Sequence, residues 1–107
     1  MPYIIVYITY PTDLAPEVTE KFFEVVKELP FEKELGKETI PVASNANTHG
    51  IEVISIMEVK KGKLEEAWAW GRKRMGMFQS IKGLEYEMRL WSTLAEALEG
   101  TDYSHPE

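Results

Sequence analysis

Two stretches of this sequence are apolar on both of their alternating faces, and they constrain the fold more than any other feature. The first runs from Tyr3 to Tyr10 (YIIVYITY) and the second from Ile51 to Lys60 (IEVISIMEVK). β-Branched and aromatic residues dominate both, which predicts strands. A strand with two apolar faces has to be covered on both sides, so we expect both strands in the middle of a sheet.

Two further stretches have the character of edge strands. The stretch from Thr39 to Ala46 contains Pro41, which removes a backbone donor and is tolerated mainly at the edge of a sheet. The stretch from Leu84 to Ser92 alternates apolar residues with mostly charged ones, as a strand exposed on one face would.

A first helix is predicted between the first two strands. Asp13 is placed to act as its N-cap, Pro16 falls in its first turn, and Pro30 ends it. Apolar residues recur at helical spacing along this segment, forming one stripe. A charged connector covering residues 31–38 leads from this helix to the second strand.

A second helix is predicted from Leu64 to Ile81, with Lys82 and Gly83 closing it. Near the end of the sequence, Thr93 and Glu96 have the spacing of a capping box, which predicts a short helix.

With 107 residues, the chain is expected to form one domain, residues 1–107, with 101–107 as a flexible tail. The element order β-α-β-β-α-β predicts an α+β, ferredoxin-like fold. Right-handed crossovers then give a four-stranded antiparallel sheet of order 4-1-3-2, with both helices on one face and a short C-terminal helix.

The face of this sheet that the helices leave open would carry a large apolar patch for a monomer. A second copy of the chain is the simplest cover, so we expect a homodimer through the sheet face, or a higher oligomer. Covering about 600 Å² of apolar surface per subunit contributes on the order of 15 kcal/mol before the costs of association.

In element order and in its doubly apolar central strands, the chain resembles the dimeric α/β-barrel superfamily. Its ending, EYEMRLWSTLAEALEG, is similar to the ends of small uncharacterised members. The resemblance implies a ligand cavity between the sheet and the helices. It also implies the functions of other members, which are cofactor-independent and haem-degrading monooxygenases, small isomerases, stress-responsive proteins and regulatory ligand-binding domains.

Haem degradation is disfavoured within this resemblance. The haem-degrading members use an Asn, a Trp and a His, with the His on the second helix. Here the second helix contains no histidine and the first strand contains no asparagine.

The second helix has more apolar surface than a single core stripe requires. Trp68, Met75 and Phe78 belong to the ordinary stripe, and Trp70 and Ile81 help to widen it. Either the tail or a partner subunit packs on Trp70 within a thick core, or the surplus lines an apolar pocket.

Arg74 falls inside this apolar arc. A charged group there needs a partner. Its guanidinium group either reaches solvent, pairs with a carboxylate such as Glu58 or Glu87, or anchors the carboxylate or enolate of a ligand.

Other candidates lie on the strands and turns. His49, in a turn-rich link, is the candidate catalytic base, although histidines in such turns are commonly solvated. Tyr7 and Tyr86 are candidate ligand-orienting residues, or core residues with a satisfied hydroxyl. With Trp68, Arg74, Met75 and Phe78, these two tyrosines complete the predicted ligand-binding set.

Composition excludes several functions. The net charge of −6 argues against binding to nucleic acid, and the absence of cysteine excludes disulfides and thiolate catalysis. We see no metal-ligand spacing and no Gly-rich phosphate loop, so no metal or cofactor is expected. Neither a signal peptide nor an apolar run near 20 residues is visible, so we expect a cytoplasmic protein without membrane contact.

The sequence therefore favours a small-molecule-binding protein of this class. It would be either a binding protein or a cofactor-independent enzyme, monooxygenase-like or isomerase-like, and its ligand or substrate would be an apolar or aromatic acid. The alternative is a non-catalytic dimeric module with a structural or regulatory, ligand-sensing role.

Overall fold

The structure is a computed structural model and describes residues 1–103. Its elements, in chain order, are β1 (Tyr3–Tyr10), a 3-10 turn (Thr12–Leu14), α1 (Ala15–Glu28), β2 (Gly36–Asn47), β3 (Gly50–Val59), α2 (Leu64–Gly76), β4 (Glu85–Trp91) and α3 (Leu94–Ala97). The prediction of a flexible tail over residues 101–107 falls mostly outside the described range.

The four strands form one antiparallel sheet in the order β2-β3-β1-β4. This is the predicted order read from the other end, so the expected α+β, ferredoxin-like arrangement is confirmed. The two doubly apolar strands are adjacent at the centre, and the strand with the proline and the half-charged strand are at the edges.

The register of the central pair explains why both of its faces are apolar. Ile4 and Ile8 of β1 pack into clusters with residues of the helices. Ile5 is opposite Ile56 of β3, and Tyr7 is opposite Ile54, on the face that the helices do not cover. The sheet therefore has a helix-covered face and an open face.

The edge strand β2 is longer and less regular than predicted. It begins at Gly36, within the stretch assigned to the connector, and its pairing with β3 shifts register on both sides of Ile40. Pro41 lies at the second shift, where a missing N–H costs little because the strand is at the edge. As a result, Glu38 lies in the strand, opposite Met57 and on the helix-covered face.

The prediction that Asp13 caps α1 is wrong. The helix begins at Ala15, and no side chain caps it. The backbone N–H of Leu14 donates to the carbonyl oxygen of Pro11 (3.0 Å), so Asp13 lies inside a 3-10 turn and not in the extended conformation of an N-cap. Pro16 does lie in the first turn of the helix, as predicted.

The predicted end of α2 at Ile81 is also wrong. The helix ends at Gly76. The backbone then forms turns closed by hydrogen bonds between residues three apart, such as Phe78 N–H to Met75 O (3.0 Å) and Ile81 N–H to Phe78 O (3.1 Å). Glycine has a low helix propensity, which favours an end at this position. Phe78 and Ile81 are nevertheless buried, because the turns carry them onto the same core.

The capping box of the last helix is confirmed. The hydroxyl of Thr93 accepts from the Glu96 N–H (3.2 Å), and the Glu96 carboxylate accepts from the Thr93 N–H (2.8 Å). This short helix follows directly on β4.

Candidate ligand-binding site

A cavity lies between the helix-covered face of the sheet and the two long helices, and we call it the central cavity. Its volume is about 80 Å³, within a concavity of about 730 Å³ that includes its open mouth. Its wall is mainly apolar and is formed by Ile4, Val6, Ile8, Phe22, Val25, Phe31, Glu38, Pro41, Val42, Val53, Ser55, Met57, Ala67, Trp70, Gly71, Arg74, Met75 and Phe78.

Arg74 is the cation of this wall. Its Nε is buried and has no hydrogen-bond partner among residues 1–103. Burial in the apolar surroundings lowers the pKa of Arg74, and the negative charge of Glu38 partly offsets that effect. A buried donor without an acceptor costs about 1–3 kcal/mol or more when it is charged, so this position favours an anionic acceptor.

The predicted alternatives for the partner of Arg74 are not found. Glu58 is opposite Tyr3 on the open face of the sheet. Glu87 forms an ion pair with Arg89, at 2.8 Å between Oε1 and Nε. Successive side chains of a strand point to opposite faces of the sheet. Glu58 and Glu87 therefore point to the open face, away from α2.

Glu38 and Ser55 are the other polar side chains of the wall. Both are half-buried. Within the part of the chain that is described, Glu38 forms no ion pair, so its carboxylate lies more than 4.0 Å from the nitrogens of Arg74. The cavity therefore presents a cation, an anion and a hydroxyl from three different elements.

Trp70 connects Arg74 to the segment that follows α1. The guanidinium carbon of Arg74 lies 4.7 Å from the centroid of the Trp70 ring. The indole N–H of Trp70 donates to the carbonyl oxygen of Pro30 (3.3 Å), and the ring of Phe31 packs edge-on against it at 5.6 Å. The sequence predicted that the tail or a partner subunit would pack on Trp70. In the structure, the segment at Pro30 and Phe31 packs against one side of the Trp70 ring.

The predicted ligand-binding residues divide into two groups. Arg74, Met75 and Phe78 line the central cavity. Trp68 does not; it is half-buried and packs against the cluster around Val59 and Ala67. The structure therefore brings together three of the six residues.

The remaining candidates lie elsewhere. Tyr7 is on the open face, where the guanidinium carbon of Arg89 lies 5.2 Å from its ring centroid. Tyr86 is on β4, and its hydroxyl accepts from the side-chain amide of Gln79 (3.1 Å). His49 is exposed at the turn between β2 and β3, where its backbone N–H donates to Asn47 Oδ1 (2.8 Å), and it does not line the cavity.

Glu38 was not predicted as a site residue, because the connector was expected to extend to residue 38, whereas β2 already begins at Gly36. Trp70 was predicted only to widen the apolar surface of the second helix, and its contact with Phe31 was not predicted. The approach of β2 to the second helix depends on the irregular register near Pro41, and no periodicity in the sequence carries that information.

The described residues contain no group of three or more His, Cys, Asp or Glu side chains that could hold a metal ion. No helix in residues 1–103 is long and apolar enough to cross a bilayer.

Comparisons with known proteins identify little. No family model matches the chain, and no curated protein sequence matches it. Among solved structures, a formyltetrahydrofolate deformylase from Pseudomonas putida KT2440 superposes with a TM-score of 0.47 and 8% identity. That match covers 83% of this chain and 28% of the other, so the chain aligns with little more than a quarter of that enzyme.

Element order, strand order and the single helix-covered face define this chain as a small α+β protein with a ferredoxin-like fold. Its candidate site is an apolar cavity under the helices that contains an unpartnered arginine nitrogen.

Proposed function

We propose that this protein binds a small planar acid with an apolar or aromatic body, and that Arg74 anchors the acid group in the central cavity. The observation that carries the proposal is the buried Nε of Arg74, which has no acceptor within residues 1–103 although it lines an open, mainly apolar space. Ligand pockets are commonly apolar, with a few polar groups that fix orientation.

A carboxylate matches this position chemically. Arginine presents its donors in a planar fork, and a carboxylate can accept two of them at once. The charge of the ligand would also offset the cost of holding the guanidinium group away from water. A neutral apolar ligand would fill the cavity but would leave that cost in place.

The size of the cavity limits the ligand to a small body. The enclosed volume of about 80 Å³ is about half that of an engineered cavity that binds benzene, so part of an aromatic ring and its substituents would lie in the open mouth. Met75 and Phe78 supply adaptable and aromatic contact surface for such a ring.

We further propose that the protein is a homodimer in the manner of the dimeric α/β-barrel superfamily, joined through the open face of the sheet. Ile5, Tyr7, Ile54 and Ile56 lie together at the centre of that face. The Glu87–Arg89 pair lies beside them on β4. An apolar centre with a charged margin is the usual anatomy of an interface between copies.

An enzymatic role rests on the polar groups of the same cavity. Isomerisation of a bound acid begins with removal of a proton, which needs a base within reach of the substrate. Glu38 is better placed for that role than His49, because only Glu38 lines the cavity. Arg74 would then stabilise the enolate, and cofactor-independent oxygenation could start from the same anion.

A non-catalytic dimeric module is the second candidate. The observation that favours it is the intramolecular cover of Trp70 by Pro30 and Phe31, which resembles ordinary core packing. In that case Arg74 would have a structural role only.

The deciding experiment is calorimetric titration with benzoate, comparing the wild type with Arg74→Met. Arg72→Met is the matched control, since Arg72 is exposed on the same helix and does not line the cavity. We expect Arg74→Met to weaken binding at least about 10-fold, because charge-assisted hydrogen bonds contribute about 1.5–3 kcal/mol, and Arg72→Met to bind like the wild type. Equal affinity in all three proteins, or no binding to the wild type, would favour the non-catalytic module.

A further inference from the structure

We propose that the ligand carries a hydrogen-bond donor on its apolar body in addition to its acid group, so that it spans from Arg74 to Glu38. This inference rests on the proposed function, because it assigns the acid end of the ligand to Arg74. It makes the ligand a hydroxylated or amino-substituted aromatic acid and not a simple one.

The two opposite charges of the cavity, on Glu38 and Arg74, are not paired with each other. Glu38 and Arg74 line the same cavity, and the charge of Glu38 acts on Arg74. They nevertheless form no ion pair at the 4.0 Å limit. Because both charges line one cavity and are not paired with each other, a single ligand in that cavity can contact both.

The carboxylate of Glu38 needs hydrogen-bond donors. An ionised carboxylate only accepts hydrogen bonds, and it has about four acceptor positions to satisfy. In the described residues no side-chain donor reaches Glu38. Without a ligand, water in the cavity can donate hydrogen bonds to the Glu38 carboxylate. An apolar ligand would displace that water and leave the negative charge unpaired.

The carboxylate of Glu38 should make the cavity selective for ligands that carry a hydrogen-bond donor. A ligand with a hydroxyl or amino donor replaces the displaced water at Glu38, whereas its unsubstituted analogue does not. Sites built to pair with a polar group discriminate strongly against analogues that lack it, because their own buried groups are then left unsatisfied. Ser55, on the floor of the same cavity, can donate to or accept from a second substituent.

The test is titration of benzoate and its 2-, 3- and 4-hydroxy derivatives into the wild type, Glu38→Met and Glu38→Gln. Glu34→Met is the control, because Glu34 is exposed in the connector and outside the cavity. We expect at least one hydroxybenzoate to bind the wild type about 10-fold more tightly than benzoate, as a charge-assisted hydrogen bond would allow.

Glu38→Met should act in opposite directions on the two kinds of ligand. It should weaken the preferred hydroxybenzoate and should strengthen benzoate, because it removes the acceptor and also a negative charge near a bound carboxylate. Damage to the fold would weaken both, so this pattern separates recognition from disruption. Glu38→Gln, which keeps the shape and loses the charge, should reduce the preference for the hydroxybenzoate to about 3-fold or less.

The inference is overturned if benzoate binds in an Arg74-dependent manner but no hydroxybenzoate binds more tightly, or if the preference persists in both Glu38 variants. Those results would leave the proposed function standing. If none of the four acids binds the wild type, the proposed function fails and this inference fails with it.

Discussion

The side chains of Arg74 and Trp70, four residues apart on α2, stack with 4.7 Å between the guanidinium carbon and the ring centroid. The stack holds a cation against the wall of an apolar cavity, and its Nε has no acceptor among the described residues. A cation–π contact contributes about 0.5–2 kcal/mol. It therefore offsets only part of the cost of removing the guanidinium group from water.

Arg74→Met is expected to stabilise the ligand-free protein. The substitution removes an unpartnered donor and keeps an unbranched chain that can pack against Trp70, so we expect a gain of about 1 kcal/mol in the free energy of unfolding. Thermal denaturation should show a midpoint about 4 °C higher. Arg72→Met, on the exposed side of the helix, should change the free energy by less than about 0.5 kcal/mol. A loss of stability in Arg74→Met would mean that the guanidinium group is satisfied in solution.

Two glycines should respond to alanine in opposite ways. A Cβ on Gly36 would overlap the backbone oxygen of Glu58, because β2 approaches β3 closely there, whereas a Cβ on Gly76 meets nothing within 4 Å. We expect Gly36→Ala to lower the free energy of unfolding by about 3 kcal/mol or more through overpacking. Gly76→Ala should raise it by about 0.5–1 kcal/mol through helix propensity. Urea denaturation of both variants measures the difference, and similar values for the two would contradict the close approach.

The proposed dimer depends on the open face of the sheet. Ile54 lies at its centre, opposite Tyr7, so Ile54→Lys would place a charge in the middle of the interface. We expect sedimentation equilibrium to show the wild type as a dimer and the variant as a monomer, with a dissociation constant at least about 100-fold higher. Val26→Lys is the control, because Val26 is exposed on α1 on the other side of the sheet. If both variants sediment like the wild type, the open face is not the interface.

Stability should fall at high pH partly because of Tyr10. This side chain is buried, with 9% of its surface exposed, and burial raises the pKa of its hydroxyl. The folded state then holds the proton more tightly than the unfolded state. The contribution of Tyr10 to the free energy of unfolding is therefore complete below the pKa of tyrosine in the unfolded chain, about 10, and is lost as the pH rises above that value.

Tyr10→Phe should remove that part of the pH dependence. Denaturation at a series of pH values between about 8 and 11 should give a shallower fall for Tyr10→Phe than for the wild type. Tyr103→Phe, at a position with 76% exposure, should follow the wild-type curve. Parallel curves for all three proteins would show that Tyr10 ionises as freely in the folded state as in the unfolded one.

The sequence predicted the sheet well because the central strands are defined by a simple signal. Strands with two apolar faces have to be covered on both sides, which places Tyr3–Tyr10 and Gly50–Val59 in the middle of the sheet, and right-handed crossovers then set the order of all four strands. Pro41 indicated the edge for an equally local reason. These are properties of single segments, which a sequence displays directly.

The site was predicted less completely because it depends on relations between segments. Arg74 and Met75 could be placed, since helical spacing sets which side chains share a face. Glu38 could not, because its orientation follows from where β2 begins and from the register shifts near Ile40. Trp68 was expected in the cavity because it shares the core stripe, but its side chain does not line the cavity and packs against the cluster that contains Val59.

The irregular pairing of β2 also affects how copies of the chain can meet. A long, flat outer strand offers a row of free N–H and C=O groups on which another strand can add, and this is a route to fibrils. In β2 the row is interrupted by Pro41, which has no N–H, and by the two register shifts beside it. This margin of the sheet is thereby protected against the addition of a strand from another molecule.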